Sequence, residues 1–344
     1  MKKQNSKNKK GFFKKVFIKI CRLLGFEIVD QGSFYMPTQN KFLNDNLSIQ
    51  GVKSINLPLG EVKITRKVNA LTIIFRSCTN VHMLTQNKKR LFDQKKSEYT
   101  FRSLNSIIES SKNAKKQFPR IKFNIVVVDH KSKIEDIKKI KKQLNKSDLQ
   151  NSFISLNVNE FSDSIKKINA KNEIVTDNQI SNMANINKSL MIARDQCDDL
   201  IYFVEDDYIH YNDAISEMIF SYERISSQLN NELILCPTDY PYLYTKLEST
   251  NIYLGSNKHW RKIDESLCTF LTSKLILDKY WNEFVSMCKY EHYPFEQPLH
   301  NIYKSECCLS PLPSLAIHLT NINSVFGLSP NVDWKKVWDN NENY

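Results

Sequence analysis

The fold is decided by the stretch Ile201-Tyr-Phe-Val-Glu-Asp-Asp-Tyr208, in which four apolar residues lead directly into three consecutive acids. A short, continuous apolar run containing β-branched residues is typical of a strand that is buried on both faces. Strands of this kind form mainly parallel sheets, in which ligands bind outside the carboxyl ends of the strands. The pattern therefore predicts that Glu205, Asp206 and Asp207 lie at a ligand site.

Similar apolar runs precede this strand and alternate with helical segments. Residues 70–75, 123–128 and 153–156 predict three further strands, and residues 99–112 and 134–144 predict helices between them. A helix that leads into the acidic strand is indicated by apolar residues three and four positions apart, namely Met183, Ile186, Leu190, Ala193 and Cys197. This alternation predicts an α/β fold with a mainly parallel central sheet and helices on both faces.

Polar side chains also follow the first two strands. Arg76 and Ser77 come after the first strand, and Asp129 comes after the second. Because the carboxyl ends of parallel strands meet at one edge of a sheet, we expect these residues to join the acids. Arg76 would meet a base or a phosphate, and Asp129 would accept hydrogen bonds from a base or a ribose. The alternative for Asp129 is a turn residue before His130.

Three adjacent acids repel one another, so they need a cation or strong hydrogen bonds to stay ionised. Mn²⁺ or Mg²⁺ with a diphosphate meets this need, because such ions bind through one or two carboxylates, some waters and substrate phosphates. The ion would act as a Lewis acid on a departing nucleotide diphosphate. The alternative is a solvated strand end at which Asp207 or Asn212 caps a helix beginning at Ala214.

The segment from Asn182-Met-Ala-Asn-Ile-Asn187 to the acidic strand end resembles GT-A fold glycosyltransferases, family 2-like enzymes among them. In that fold a D-x-D-like motif, of which E-D-D is a variant, ends a central strand and holds the metal and the nucleotide sugar. The resemblance covers roughly residues 69–320. It departs from the commonest family pattern after the first strand, where Phe75-Arg-Ser-Cys78 stands and no Pro-x-Tyr-Asn-like sequence follows. The resemblance implies donor contacts from Arg76, Ser77, Asp129, Asn182, Asn187, Glu205 and Asp206.

The resemblance also implies roles for residues late in the chain. A late histidine completes the metal site in many GT-A enzymes, which makes His318 a metal ligand beside Asp207 and Glu205; a satisfied core or surface histidine is the alternative. A carboxylate from the acceptor half would take the proton of the attacking hydroxyl. The candidates are Asp239, Asp264, Glu265, Glu291 and Glu296.

Among these carboxylates we favour Glu296, because many inverting GT-A enzymes carry a catalytic acid ahead of a helix near this position. Asp239 is the second candidate for the base. The alternative for Glu296 is that it only caps or solvates a helix. Tyr240 and Trp260, which lie in loops rich in aromatic residues, are the candidate acceptor-binding residues.

Composition excludes several other classes. The seven glycines form neither a Rossmann fingerprint nor a P-loop. The net charge of +12 is concentrated in residues 1–24, which hold nine Lys or Arg and no acid, so a nucleic-acid-binding protein is not indicated. The eight cysteines form no C-x-x-C pair and predict reduced, mostly buried thiols of a cytosolic protein.

Four regions follow from these patterns. Residues 1–26 include a basic amphipathic helix at 11–26, which would lie either on an anionic membrane surface or on the protein's own core. Residues 27–68 form an N-terminal extension, residues 69–235 a nucleotide-sugar-binding half, and residues 236–344 an acceptor-binding half and tail. We expect a cytoplasmic protein that is peripheral on the inner face of the cytoplasmic membrane if the helix binds lipid.

The function that the resemblance implies is metal-dependent transfer of a sugar from a nucleotide-diphosphate sugar to a glycan or lipid-linked acceptor, as in polysaccharide biosynthesis. The alternative enzyme is a metal-dependent nucleotidyltransferase, which usually has a Gly-rich, Lys- or Arg-bearing phosphate loop near the first strand. The alternative without catalysis is a basic membrane- or nucleic-acid-binding module, which would distribute its cations among aromatic residues along the chain.

Overall fold

The structure is a computed structural model that describes residues 7–26, 63–80, 90–245 and 250–342. The chain divides into two units, Met1–Val62 and Lys63–Tyr344. In the first unit, helix α1 (Lys7–Leu23) confirms the predicted N-terminal helix. The rest of the predicted extension, up to residue 62, lies outside the described residues. Among the described helices, none combines the length and the apolar character that crossing a bilayer requires.

The second unit is built on one sheet of nine strands. The strands are β1 (Ala70–Ser77), β2 (Lys122–Asp129), β3 (Gln150–Ser155), β4 (Leu200–Glu205), β6 (Leu233–Leu235), β7 (Ile252–Leu254), β8 (His259–Lys262), β9 (Phe270–Ser273) and β10 (Cys307–Leu312). A separate two-stranded sheet pairs β5 (Tyr208–His210) with β11 (Ala316–His318).

The order of the large sheet is β3-β2-β1-β4-β9-β6-β10-β8-β7. Strands β3, β2, β1 and β4 are parallel, and β9 runs antiparallel to its neighbours β4 and β6. β10 is parallel to β6, while β8 is antiparallel to β10 and β7. The sheet is therefore mainly parallel, as predicted, and strands from both predicted halves of the chain belong to it.

Helices connect and flank these strands. They are α2 (Lys96–Gln117), α3 (Ile134–Asn145), α4 (Asp177–Gln196), α5 (Ala214–Leu229), α6 (Lys274–Lys279), α7 (Trp281–Lys289), α8 (Gln297–Tyr303) and α9 (Trp334–Asn340). Successive side chains of a strand point to opposite faces of the sheet, so each strand contributes residues to the two cores on either side of it. Ile73 and Phe75 pack in the core with residues of α2 and α5, and Ile74 packs in the core with residues of α4 and α7. Helices on both faces are thus confirmed.

Strand register assembles the residues that follow β1, β2 and β4. Arg76 pairs with Glu205 across β1 and β4, and Ser77 pairs with Asp129 across β1 and β2. In the small sheet, His318 pairs with Tyr208, one residue after Asp207. The register therefore places a late histidine beside the acidic strand end, although more than a hundred residues separate them in sequence.

Candidate functional site

A cleft of about 240 Å³ lies at the carboxyl ends of β1 and β4. One wall comes from the first turns of α4, with Asn178, Ser181 and Asn182, and another comes from the Glu205–Asp207 segment. α4 begins at a capping box, because Thr176 accepts a hydrogen bond from the Gln179 backbone N–H and the Gln179 side chain bonds back to Thr176. The predicted ligand edge of the sheet thus contains a cleft lined by polar side chains.

Glu205 is matched by Arg76. The guanidinium Nη2 lies 2.9 Å from Glu205 Oε1, and Nη1 donates to Asn182 Oδ1 at 3.1 Å. Arg76 is buried, whereas Glu205 keeps about 30% of its side chain exposed in the cleft. This ion pair joins the ends of β1 and β4 to α4 and neutralises the first of the three acids.

Asp206 is matched by a different cation. Lys96 Nζ lies 2.5 Å from Asp206 Oδ1, while Oδ2 accepts hydrogen bonds from Thr100 Oγ1 at 2.8 Å and from the Cys78 backbone N–H at 3.1 Å. Burial opposes the charge on Lys96, but the carboxylates of Asp206 and Asp207 raise the pKa of Lys96. Asp206 therefore ties the end of β1 to the first turn of α2, and both of its oxygens are engaged within the protein.

Asp207 is matched by a histidine. Its Oδ2 lies 3.5 Å from His318 Nε2 and accepts a hydrogen bond from Thr320 Oγ1 at 2.6 Å. Burial acts to raise the pKa of Asp207, but the charges of His318 and Lys96 hold it well below its usual value. Asp207 is thus the acid whose partner is a potential metal ligand.

His318 is oriented through its other ring nitrogen. Nδ1 lies 2.8 Å from the Phe326 carbonyl oxygen, and since that oxygen can only accept, Nδ1 carries the proton. Nε2 then faces Asp207 and Thr320 Oγ1, the latter at 2.8 Å. A backbone carbonyl that fixes the ring in this way is the usual support of a metal-binding histidine.

The donor atoms of Asp207 and His318 fit a divalent cation. They are 3.5 Å apart, which one ion with bonds of about 2.1 Å can span. Within the described residues no three or more His, Cys, Asp and Glu side chains converge on a metal position. Two protein ligands suit Mg²⁺ or Mn²⁺, whose remaining positions are filled by substrate phosphates and water. Glu205, the other predicted acidic ligand, is held by Arg76.

Glu296 also lines the cleft. It occupies the N-cap position of α8, but its side chain makes no capping hydrogen bond to that helix. A side-chain cap is therefore not formed, and a catalytic role for Glu296 stays a prediction. Glu296 and the Asp207–His318 pair line the same cleft. A base that acts on an acceptor and a pair that holds a donor would need to share one cleft.

Two predicted donor-binding residues lie outside the lining of the cleft. Asp129 is buried, and its Oδ1 accepts hydrogen bonds from Ser77 Oγ at 2.7 Å and from Ser132 Oγ. Burial raises the pKa of Asp129, while these hydroxyl donors lower it. Asn187 is buried on α4, two residues beyond Asn185, the last residue of α4 that lines the cleft. Donor binding by these two residues stays a prediction.

The predicted residues of the acceptor half are buried elsewhere. Asp239 forms an ion pair with Arg261 and accepts a hydrogen bond from Tyr244 Oη at 2.5 Å. Tyr240 Oη lies 2.6 Å from Tyr208 Oη, and Trp260 Nε1 donates to Glu217 at 3.3 Å. The cleft does not include Asp239, Tyr240 or Trp260 in its lining.

Three further cleft residues carry no sequence signal of their own. Lys96 and Arg90 belong to a segment with many lysines and arginines, and Thr320 follows His318 by two residues. Lys96 becomes recognisable only when the start of α2 packs against the acids, and Arg90 and Thr320 only through the bridge between them. The spacing of these residues in the sequence does not predict their long-range contacts.

Comparison with known proteins shows weak similarity to solved structures. No family model matches the sequence, and no curated protein matches it. The galactosyltransferase LgtC in complex with donor and acceptor sugar analogues is 12% identical, over 70% of this chain and 86% of that chain, with a TM-score of 0.32. The inositol-1-phosphate CTP transferase from T. maritima is 9% identical, over 81% and 98%, with a TM-score of 0.37. The UTP-bound UGPase from Acinetobacter baumannii is 8% identical, over 72% and 88%, with a TM-score of 0.37. At these TM-scores, none of the similarities assigns an activity to this chain.

Proposed function

We propose that this protein is a glycosyltransferase that moves a sugar from a nucleotide-diphosphate sugar to a glycan or lipid-linked acceptor with the help of Mn²⁺ or Mg²⁺. The observation that carries the proposal is the pair Asp207–His318 in the cleft at the end of β4. Asp207 and the oriented Nε2 of His318 would hold the ion, and the ion, when bound, supplies Lewis acidity to the departing diphosphate.

The remaining acids of the triplet position this pair. Arg76 and Lys96 neutralise Glu205 and Asp206, so the cleft can hold three adjacent acids without their mutual repulsion raising the pKa of Asp207. Asp206 also joins α2 to the end of β1, which holds the acidic strand end against both elements. Family 2-like character and transfer of a hexosyl or related sugar belong to the same proposal.

Glu296 is the proposed general base. An acceptor hydroxyl that attacks the anomeric carbon in line with the leaving diphosphate must lose its proton, and a carboxylate on the opposite side of the sugar can take it. Glu296 lines the cleft from the α8 side, while the metal pair lies at the ends of β4 and β11. Inversion at the anomeric carbon, the outcome that such a base serves, is part of the same proposal.

The proposal is tested by measuring thermal unfolding with a panel of nucleoside diphosphates, each with Mn²⁺ and with EDTA. A ligand that binds only the native state raises its apparent stability, by about 2.7 kcal/mol at a hundredfold excess over Kd. We expect one base to stabilise the protein, and only with the metal. No stabilisation by any nucleoside diphosphate with Mn²⁺ would contradict a nucleotide-sugar site.

The alternative function, nucleotidyl transfer, differs from glycosyl transfer in the nucleotide that it produces from the nucleotide sugar. Residues 78–90, which follow β1, contain no glycine, so the usual phosphate loop of nucleotidyltransferases is not present there. The enzyme is incubated with the nucleotide sugar and either pyrophosphate or water. Formation of the nucleoside triphosphate from pyrophosphate would indicate a nucleotidyltransferase. Slow release of the nucleoside diphosphate, with no nucleoside triphosphate formed from pyrophosphate, is the result we expect.

A further inference from the structure

Arg90 differs from the other cations of the cleft in its partners. Arg76 and Lys96 also line the cleft, but each is paired with one acid of the triplet. Among the described residues, no carboxylate lies within ion-pair distance of the Arg90 guanidinium. The positive charge of Arg90 is therefore not neutralised by the part of the protein that the structure describes.

The backbone at Arg90 is hydrogen-bonded to the segment that follows His318. Arg90 forms an antiparallel bridge with Thr320, and the Leu91 N–H donates to the Leu319 carbonyl at 3.0 Å. Thr320 is the residue whose hydroxyl bonds to Asp207. Arg90 is thus fixed beside Asp207 and His318 by main-chain hydrogen bonds, which do not depend on its side chain.

The side chain of Arg90 rests on an aromatic ring that is itself fixed. Its Cζ lies 5.5 Å from the centre of the Tyr99 ring, and Tyr99 Oη donates to the Phe92 carbonyl and accepts from the Phe92 N–H. Arg90 Nε is buried and has no hydrogen-bond partner among the described residues.

We infer that Arg90 binds the diphosphate of the donor, on the side of the phosphates next to the Asp207–His318 pair. This inference rests on the proposed function. A diphosphate carries more negative charge than a divalent ion neutralises, and a second cation is therefore needed as charge develops on the leaving group. A guanidinium suits this role because its planar donors match phosphate oxygens in pairs, which an ammonium group does not.

The test is calorimetric titration of inorganic pyrophosphate in the presence of Mg²⁺ into the full chain. Arg90→Gln removes the charge and the guanidinium but keeps a polar side chain, so its affinity for pyrophosphate should fall tenfold or more, about 1.4 kcal/mol. Arg90→Lys keeps the charge without the planar donors and should lose less. Arg120→Gln, at an exposed arginine just before β2 and at the opposite edge of the sheet, is the matched control and should bind as the wild type does.

The outcomes separate this inference from the proposed function. If the wild type binds nucleoside diphosphate and pyrophosphate with metal but Arg90→Gln binds equally well, the role of Arg90 is overturned and the proposed function stands. If Arg90→Lys loses less affinity than Arg90→Gln, the retained charge accounts for part of the contact and the inference is supported. If the wild type binds neither ligand, the proposed function and the inference fall together. Thermal unfolding without ligand verifies that each variant is folded.

Discussion

At the scale of single residues, three consecutive acids have three different cationic partners. Glu205 pairs with Arg76, Asp206 with Lys96, and Asp207 with His318. An arginine and a lysine keep their charge at any physiological pH, whereas a histidine can give up its proton to become a metal ligand. In the proposed function, the last of the three acids is therefore the one at which a metal would replace a proton.

Glu296→Gln should lower turnover by about 10²- to 10⁴-fold, because it removes a general base while keeping the size of the side chain. The affinity for nucleoside diphosphate and metal should change little, since the proposed partner of Glu296 is the acceptor and not the donor or the metal. Steady-state kinetics combined with donor titration measures both quantities. A loss in turnover below threefold would assign the base elsewhere, and Asp239→Asn is then the variant to measure.

His210 predicts a pH dependence of stability. Burial lowers the pKa of His210 from 6.5 to about 3, and Tyr202 Oη lies 2.5 Å from its Nε2. Since the folded-state pKa lies below the unfolded one, the unfolded chain binds the proton first as pH falls from about 6.5 towards 3. This group alone should then cost up to about 1.4 kcal/mol per pH unit in that window.

The measurement is urea unfolding of the wild type and His210→Gln between pH 7 and pH 4. Other groups titrate in both proteins, so the difference in unfolding free energy isolates His210. That difference should shrink as the pH falls. A constant difference over the whole range would show that His210 does not titrate on unfolding.

The candidate residues differ in how far sequence could identify them. Arg76 and Asp207 follow apolar runs, so the rule that ligands bind at the carboxyl ends of strands is enough to place them. Lys96 and Arg90 reach the same cleft through the start of α2 and a single bridge to Thr320. Such contacts depend on how distant segments pair, and local pattern does not encode that pairing.

At the scale of elements, long and strongly periodic segments were predictable and short ones were not. The predicted strand at residues 70–75 is β1 (Ala70–Ser77), and the predicted helix stripe from Met183 to Cys197 is buried in α4 and just after it. β6 and β7 have three residues each, too few to show a period of two. Their place in the sheet is determined by pairing with β9, β10 and β8.

The buried stripe of α4 carries a stability prediction. Leu190 is 2% exposed and packs in the core between α4 and the sheet, whereas its neighbour Met191 is 43% exposed. Leu190→Ala should lower the free energy of unfolding by about 2–5 kcal/mol, because it removes buried methyl groups and leaves a cavity. Met191→Ala is the matched control and should change it far less. Equal effects in urea unfolding would contradict the assigned face of α4.

α1 carries a prediction about membranes. Phe13, Phe17 and Leu23 are exposed apolar side chains of this segment, and Lys15 and Lys19 are exposed as well. A helix with an apolar arc and a cationic arc binds anionic bilayers through both. We expect the protein to float with vesicles that contain phosphatidylserine and less with neutral phosphatidylcholine vesicles.

Lys15→Glu with Lys19→Glu should abolish flotation with anionic vesicles, because each charge contributes about 1 kcal/mol near such a surface. Lys138→Glu with Lys142→Glu, on the surface helix α3, changes the net charge equally and serves as the control. Equal flotation of both variants and the wild type would remove α1 from membrane binding.

At the scale of the whole Lys63–Tyr344 unit, one sheet brings together residues from distant parts of the chain. The ends of β1 and β4 supply Arg76 and Asp207, the small sheet supplies His318, and the start of α8 supplies Glu296. The mainly parallel order follows from strand and helix alternation, which sequence shows. Long-range pairing determines the antiparallel insertion of β9 between β4 and β6 and the pairing of β11 with β5. The sequence does not show this pairing.

The central claim is that Asp207 holds a divalent metal against a nucleoside diphosphate. It is tested most directly by titrating wild type and Asp207→Asn with the best nucleoside diphosphate of the thermal panel, with Mn²⁺ and with EDTA. The substitution keeps size and can keep the Thr320 hydrogen bond, so the fold should remain. We predict that Mn²⁺ strengthens nucleotide binding to the wild type at least tenfold, about 1.4 kcal/mol, and has no effect on Asp207→Asn. Binding by the folded variant that Mn²⁺ strengthens as much as in the wild type would contradict the account.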